Sequence, residues 1–490
     1  MTSPSPVFPD AATEPAAADS TTPADARPCP ECGSPLTSDP RFVEWCPSCE
    51  WGALPKTTPS NTRRDRLNRR FNRGLEQRLF DRVVAGADRG RSAPSGTDLV
   101  VLVLAGFIHL VTLALFAAGV ALLLQPLWPP RVLGAVLIAV GCLFRPQLGP
   151  GRRSLRRQTV LERSAAPALY ALADRVAAEV GTAPAAVIAV NGWHNASYHR
   201  VGLRREVVLT LGLPLWETLA PEQRLALLGH EFGHGANGDF RRGLWVGSAL
   251  RSLQEWYYLL SPGAGPQGRR VGRGLVASGT AVATVLLAGF AYLVLLFHRL
   301  LTRLTALSSR RGEYLADGFA VRVAANDATV GMLEMLTLGS SVDHVVRRRR
   351  LNAKPVRRVR ASARPRPAPE AAPRPAYEYQ PVRRPAEAPA APAQPTPAAQ
   401  PAAPDLWSEL RSYLASIPQS ERARRLVASR LEEAAVDASH PPTHLRMAYV
   451  RQLPATKPAI VLTPAEIRAV DAELAPLRAA LARSLDQRPA

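Results

Sequence analysis

Leu227-Leu228-Gly229-His230-Glu231-Phe232-Gly233-His234 is the stretch on which the reading of this chain turns. Side chains four apart lie above one another on one face of a helix. His230 and His234 can therefore bind one Zn2+, and Glu231 can reach a water on that metal. Pro221 suits the first turn of the helix that carries them.

Two histidines leave such a site one protein ligand short, because a catalytic zinc takes three and keeps one position open. The best candidate downstream is Glu313, in Arg310-Arg311-Gly312-Glu313-Tyr314-Leu315-Ala316-Asp317. Asp317 lies one turn later and can accept the second ring N–H of a ligand histidine. Taken alone, these carboxylates also fit a solvated helix face shared with Arg310 and Arg311. The histidines upstream favour the metal.

A second metal pattern lies near the start. Cys29-Pro30-Glu31-Cys32 and Cys46-Pro47-Ser48-Cys49 are separated by thirteen residues. That spacing closes one tetrahedral four-cysteine zinc site, a zinc ribbon over residues 28–54. Four of the five cysteines are used this way, which excludes a disulfide framework and points to a reducing compartment. Residues 1–27, rich in Pro, Ala, Ser and Thr, read as disordered. The role of the ribbon, including that of an adaptor for a partner, is not legible.

The chain of 490 residues carries a net charge of +21, which suggests an anionic partner surface. Apolar runs favour lipid over nucleic acid, and the arginines do not interleave with aromatics as in a single-strand binder. Residues 60–93 read as a basic amphipathic helix on a membrane surface, with Leu67, Phe71, Leu75, Leu79 and Val83 recurring every four residues. Residues 97–146 read as a transmembrane hairpin, built from the uncharged run Leu99 to Leu124 and a second run ending at Phe144. Arginines on both outer flanks put its ends in the cytoplasm.

Beyond it, residues 160–180 read as a helix stopped by Gly181, and 186–190 and 206–211 as strands. The segments 243–260 and 275–297 are apolar, the first with Arg251 and Glu255 inside it. His230 and Glu313 share one ion, so the chain between them crosses a bilayer an even number of times. Either 243–260 crosses as well or neither segment crosses fully; four membrane segments are the expectation, although Arg269, Arg270 and Arg273 sit badly in an outer loop. A helix is expected to run from the Glu313 segment toward residue 346. Residues 351–404 read as a disordered linker, with fourteen prolines in 355–404, and 405–490 as a helical C-terminal part of the catalytic domain. There is no internal repeat.

With these residues in view, the chain resembles the family of HtpX and the CAAX prenyl proteases, membrane-embedded gluzincin metallopeptidases. The resemblance rests on His230-Glu231-Phe232-Gly233-His234-Gly235-Ala236-Asn237-Gly238-Asp239, on Arg310, Glu313 and Asp317, on Asn195-Ala196, and on Ser439-His440-Pro441-Pro442 with Arg446. It covers residues 95–345 and 405–455 and leaves out the ribbon and the Pro-rich insert. It implies His230, His234 and Glu313 as zinc ligands, Glu231 as general base and Asp317 as their supporting carboxylate. It places Asn195 and Ala196 at a substrate-binding strand edge, and His440 and Arg446 near the scissile carbonyl. His440 competes with His444 for that role. The continuation Asn195-Ala196-Ser197-Tyr198 departs from the family's usual pattern, which leaves side-chain preference open.

The expected fold is therefore mainly α with a small β-sheet: a membrane-anchored zincin-type metallopeptidase domain at 158–350, transmembrane helices and an N-terminal zinc ribbon. The expected cofactors are one catalytic and one structural Zn2+, and the partners a protein or peptide substrate and membrane lipids. An extended substrate would add to the exposed edge of the strand near 206–211. The expected activity is membrane-bound endopeptidase action in membrane-protein quality control, with the catalytic site facing the cytoplasm of a multi-pass protein. The alternative is a catalytically inactive membrane scaffold acting through its ribbon.

Overall fold

In the computed structural model the described residues are 27–36, 39–54, 74, 76–86, 96–145, 155, 158–202, 205–237, 239–261, 281–353, 405–431 and 440–487. The expectations for residues 1–26, the arginines at 269–273, Ser439 and the linker from 354 to 404 lie outside them, as do Leu67, Phe71 and Leu75.

Helix α1 (Gly96–Leu123) and helix α2 (Trp128–Leu143) form a hairpin. Their backbones approach so closely that a Cβ on Gly134 would stand 2.6 Å from the Gly119 carbonyl oxygen. Strand β1 (Thr159–Leu161) precedes helix α3 (Pro167–Val180), so the expected 160–180 helix starts only at its proline. Gly181 ends α3 in the left-handed conformation, φ 78°, which glycine adopts without a Cβ clash. Strands β2 (Val187–Asn191), β3 (Ala196–Val201) and β4 (Glu206–Gly212) complete one sheet of order β1-β2-β4-β3. β2 and β4 are parallel, with Ile188 opposite Leu209, while β3 pairs antiparallel to β4 with Tyr198 opposite Leu209.

This order corrects one expectation. The 206–212 strand is paired on both sides and offers no edge; the edge strand is β3. Val207 to Leu211 are all buried, so both faces of this strand are covered as well.

The short helix α4 (Leu213–Trp216) leads to α5 (Pro221–Ala236), then α6 (Asp239–Leu260), α7 (Ala281–Ala324), α8 (Asn326–Leu336) and α9 (Gly339–Ala353). After the linker come α10 (Leu406–Ala415), α11 (Gln419–Leu431), α12 (Thr443–Gln452) and α13 (Pro464–Gln487). The long helix expected toward 346 is broken at Ala325, where φ is 73°. α7 itself has 44 residues, about 66 Å at 1.5 Å per residue. The third apolar run and the Glu313 segment are thus two halves of one rod.

Two cores result. The larger packs α3, α5, the C-terminal half of α7, α8, α10 and α12 on the sheet, with Trp216, Phe232 and Tyr314 almost fully enclosed. The smaller joins α1, α6 and the N-terminal half of α7 through Val101, Ala105, Ala249, Leu253, Trp256, Val294 and Leu301. Among the described residues two helices are long and apolar enough to cross a membrane, Asp98–Leu123 and Val285–Ala324; Trp128–Leu143 is apolar but shorter. Outward-facing Leu110, Leu113, Trp128, Val285 and Leu286 are each more than half exposed.

A second correction concerns residues 60–93. The described part is helical at 76–84, but Leu79 and Val83 are buried in the larger core rather than laid on a membrane. Phe80 meets the Tyr314 ring at 6.2 Å, and Glu76 pairs with buried Arg310. An apolar stripe every three to four residues fits a protein core as well as a lipid surface.

Candidate metal centre

The site is made by the crossing of α5 and α7. Gly229 and Gly233, one turn apart on α5, face Ala316, Ala320 and Val323 of α7. A Cβ on Gly233 would lie 3.0 Å from Ala316 Cα, and one on Gly229 would lie 3.1 Å from Ala320 Cα. The helices can approach only because those side chains are missing. This approach brings Glu313 to the two histidines.

His230 Nε2 lies 3.5 Å from Glu313 Oε2, and His234 Nε2 lies 3.6 Å from Glu313 Oε1. Tetrahedral ligands held about 2.0–2.2 Å from one ion are about 3.4 Å apart, so the donor set fits zinc. Glu313 Oε2 is buried and has no hydrogen-bond partner, as suits an atom reserved for a cation. Among the described residues the potential ligand groups are this one and Cys29, Cys32, Cys46 and Cys49. The cysteine sulfurs are 3.6 Å apart for Cys29–Cys49 and 3.5 Å for Cys32–Cys46, against about 3.8 Å for sulfurs about 2.3 Å from one zinc.

Supporting groups surround the first. Asp317 is fully buried, and its Oδ1 lies 3.0 Å from His230 Nδ1. That contact puts the ring proton on Nδ1 and leaves Nε2 for a metal. Arg446 from α12 clasps Asp317, with Nε donating to Oδ2 at 2.8 Å and Nη2 to Oδ1 at 2.6 Å. Its Nη1 lies 3.4 Å from Glu313 Oε2. His440 Nδ1 reaches Glu313 Oε1 at 2.8 Å, while the His440 side chain remains 65% exposed. Glu231, next to His230, is 7% exposed.

The electrostatics follow from this packing. Burial and the Arg446 charge oppose a proton on His230, but the hydrogen bonds it donates to Asp317 and Glu313 outweigh them and raise its pKa to about 9. Glu313 stands beyond the apolar half of α7; burial opposes its charge, yet hydrogen bonds from His230 and His440 hold its carboxyl well below the usual range. Burial also opposes charge on Asp317, and Arg446 more than offsets it.

The structure thus gathers His230, Glu231, His234, Glu313, Asp317, His440 and Arg446. It separates His444, whose Nδ1 is buried without a partner and whose pKa is pushed down to about 4 by burial and by Arg430. Asn195 and Ala196 lie at the start of β3, where the Asn195 carbonyl accepts from Gly212 N–H at 2.8 Å and Ala196 faces Leu211. Further along β3 the Tyr198 ring meets Phe232 of α5 at 5.8 Å, so the strand that ends the sheet among the described residues packs on the histidine helix.

Sequence reasoning missed the glycine face of α5. Its signal was present as Gly229 and Gly233 four apart on one helix, against Ala316 and Ala320 four apart on the other. The Arg446–Asp317 pair had no local signal, because 129 residues separate the partners.

A model of the family described as Peptidase family M48 matches residues 163–453. No curated protein and no solved structure matches the chain. The matched span holds all seven gathered residues and excludes the four-cysteine segment and the α1–α2 hairpin.

Proposed function

The chain belongs to peptidase family M48 and is a zinc metallopeptidase, and from that premise we propose that it is a membrane-anchored endopeptidase acting on extended segments of membrane proteins. The observation that carries the reading is the convergence of His230 Nε2, His234 Nε2 and the Glu313 oxygens at tetrahedral spacing, with Glu231 beside them.

His230, His234 and Glu313 would hold the zinc, which supplies Lewis acidity that activates water and polarises the peptide carbonyl. Glu231 accepts the proton of the attacking water and passes it to the leaving amine. Asp317 orients His230 and keeps its Nε2 lone pair available. Arg446 has its Nε and Nη2 committed to Asp317, so it is assigned a positioning role instead of direct contact with the scissile carbonyl. His440, exposed on the open side of Glu313, is placed to donate to the developing oxyanion. Substrate adds to the free edge of β3 by main-chain hydrogen bonds, which makes little demand on sequence.

The membrane anchor is α1, α2, α6 and the N-terminal half of α7. α6 packs on α1 through small polar residues: Ser248 and Ser252 are buried, and Ser248 Oγ lies 3.1 Å from His109 Nε2, while Arg251 and Glu255 are half-buried and Gln254 is exposed. That arrangement supports α6 as an interior membrane helix and keeps His230 and Glu313 on one side of the bilayer. Arginines flanking the hairpin favour the cytoplasmic side. Sixteen residues separate Phe297 from Glu313, so the zinc site stands about 24 Å beyond the last apolar turn. This reach suits loops and unfolded ends of membrane proteins, the chemistry of quality control.

Cleavage of a casein-type substrate by the purified protein tests the activity. It should stop with a chelator and return with zinc. A protein that holds zinc at His230 and His234 yet cleaves nothing would be the inactive scaffold.

A further inference from the structure

The four-cysteine segment lies outside the matched span, and no step above uses it. Its own core is Cys29, Leu36 and Cys46 with Cys49 and Trp51, too little to hold a fold without a metal. It is nevertheless docked. Arg41 donates to Ser416 Oγ at 2.9 Å and to the Ser416 carbonyl at 2.8 Å, just after α10. Arg424 of α11 donates to the Ala53 carbonyl at 2.8 Å, and Arg430 of α11 pairs with Glu50. Phe42 packs against the larger core.

α11 is also one wall of a cavity of about 570 Å3. Arg424, Arg425, Ala428 and Ser429 line one side, and His440, Pro441, Pro442 and Thr443 the other. Ser429 Oγ accepts from the Thr443 N–H at 3.1 Å, at the first turn of α12. That helix carries Arg446, and the turn before it carries His440, which touches Glu313. A contiguous chain of contacts therefore runs from Glu50 and Ala53 through α11 to Thr443, His440 and the metal centre.

We infer that the ribbon is an intramolecular clamp: its metal-bound fold holds α11 against the His440–Thr443 turn and so places His440 and Arg446 at the catalytic site. The activity half of this inference rests on the peptidase reading; the structural half does not. Single exposed ion pairs contribute little, so the contact is best broken at two points, Arg41→Ala with Arg430→Glu. Cys46→Ser is the companion variant and removes a ribbon ligand.

The full chain is measured for zinc content, for amide hydrogen exchange at 443–452 and for kcat and KM on a casein-type peptide. Both variants should raise exchange at 443–452 about tenfold and lower kcat about fivefold or more with zinc in excess. Adding Glu50→Arg to the Arg41→Ala, Arg430→Glu protein should re-form a reversed pair and restore part of both readouts. If Cys46→Ser does not fold, the contact variant and its rescue still decide. Unchanged exchange and kcat in the contact variant would overturn the clamp. Raised exchange in a protein whose parent cleaves nothing would sustain the clamp and sink the peptidase reading.

Discussion

Arg446 holds Asp317 by two charge-assisted hydrogen bonds, 2.6 Å and 2.8 Å, with both side chains buried behind His230. Such a fork needs a planar guanidinium and a carboxylate. Arg446→Lys keeps the charge but loses the second bond, and Asp317→Asn loses the charge and one of the two acceptor oxygens that serve Arg446 and His230. Each should weaken zinc binding about 10- to 100-fold, read by competition with a coloured chelator. Wild-type affinity in both would remove the support role assigned to the pair.

Gly233→Ala places a methyl 3.0 Å from Ala316 Cα, which is backbone and cannot swing away. α5 and α7 must part, and Glu313 moves with α7. The expected result is a stability loss of about 1–3 kcal/mol and weaker zinc retention, by thermal melting with and without zinc. Gly289→Ala, with nothing within 4 Å of its Cβ, serves as the neutral control. Equal behaviour of the two would contradict the close-crossing account.

Proton release accompanies metal uptake. Asp317 and Glu313 keep the proton on metal-free His230 up to about pH 9. A metal ligand must be neutral at the bonding nitrogen, so zinc expels that proton below this pH. Apparent affinity should therefore rise about tenfold per pH unit on its account and level off above about pH 9. Calorimetric zinc titrations in two buffers of different ionisation enthalpy measure the proton; an identical heat in both would contradict the assignment.

His444 gives a stability signature of the opposite kind. Its folded pKa is depressed to about 4, against 6.5 for the free group. The unfolded chain then binds more protons between those values, so the contribution is full above about pH 6.5 and is lost as pH falls toward about 4. Urea unfolding should show a decline on the order of 1 kcal/mol across that window, and His444→Phe should flatten it. The measurement fails the account if the variant keeps the full slope.

The chemistry of this chain was legible because it is local. His230, Glu231 and His234 declare themselves within five residues, and Glu313 and Asp317 within another five. The four cysteines do the same for the ribbon. What stayed hidden is what distant packing decides. Ala196–Val201 alternates apolar and polar residues only as far as His199 before Arg200 breaks the pattern, so the strand that borders α5 was marked by the family resemblance at Asn195-Ala196 and not by its periodicity. The stripe through Leu79 and Val83 gave the right periodicity and the wrong solvent, because core and lipid reward the same pattern. The contact between His109 and Ser248 of the 243–260 helix joins residues 139 positions apart and had no local signal either.

The central claim is that Glu231 moves the proton at a zinc held by His230, His234 and Glu313. Zinc content and peptide cleavage measured on one preparation of Glu231→Gln test it most directly. The account predicts full zinc and a cleavage rate reduced about 100- to 10,000-fold. Cleavage at the parent rate with zinc in place would contradict it.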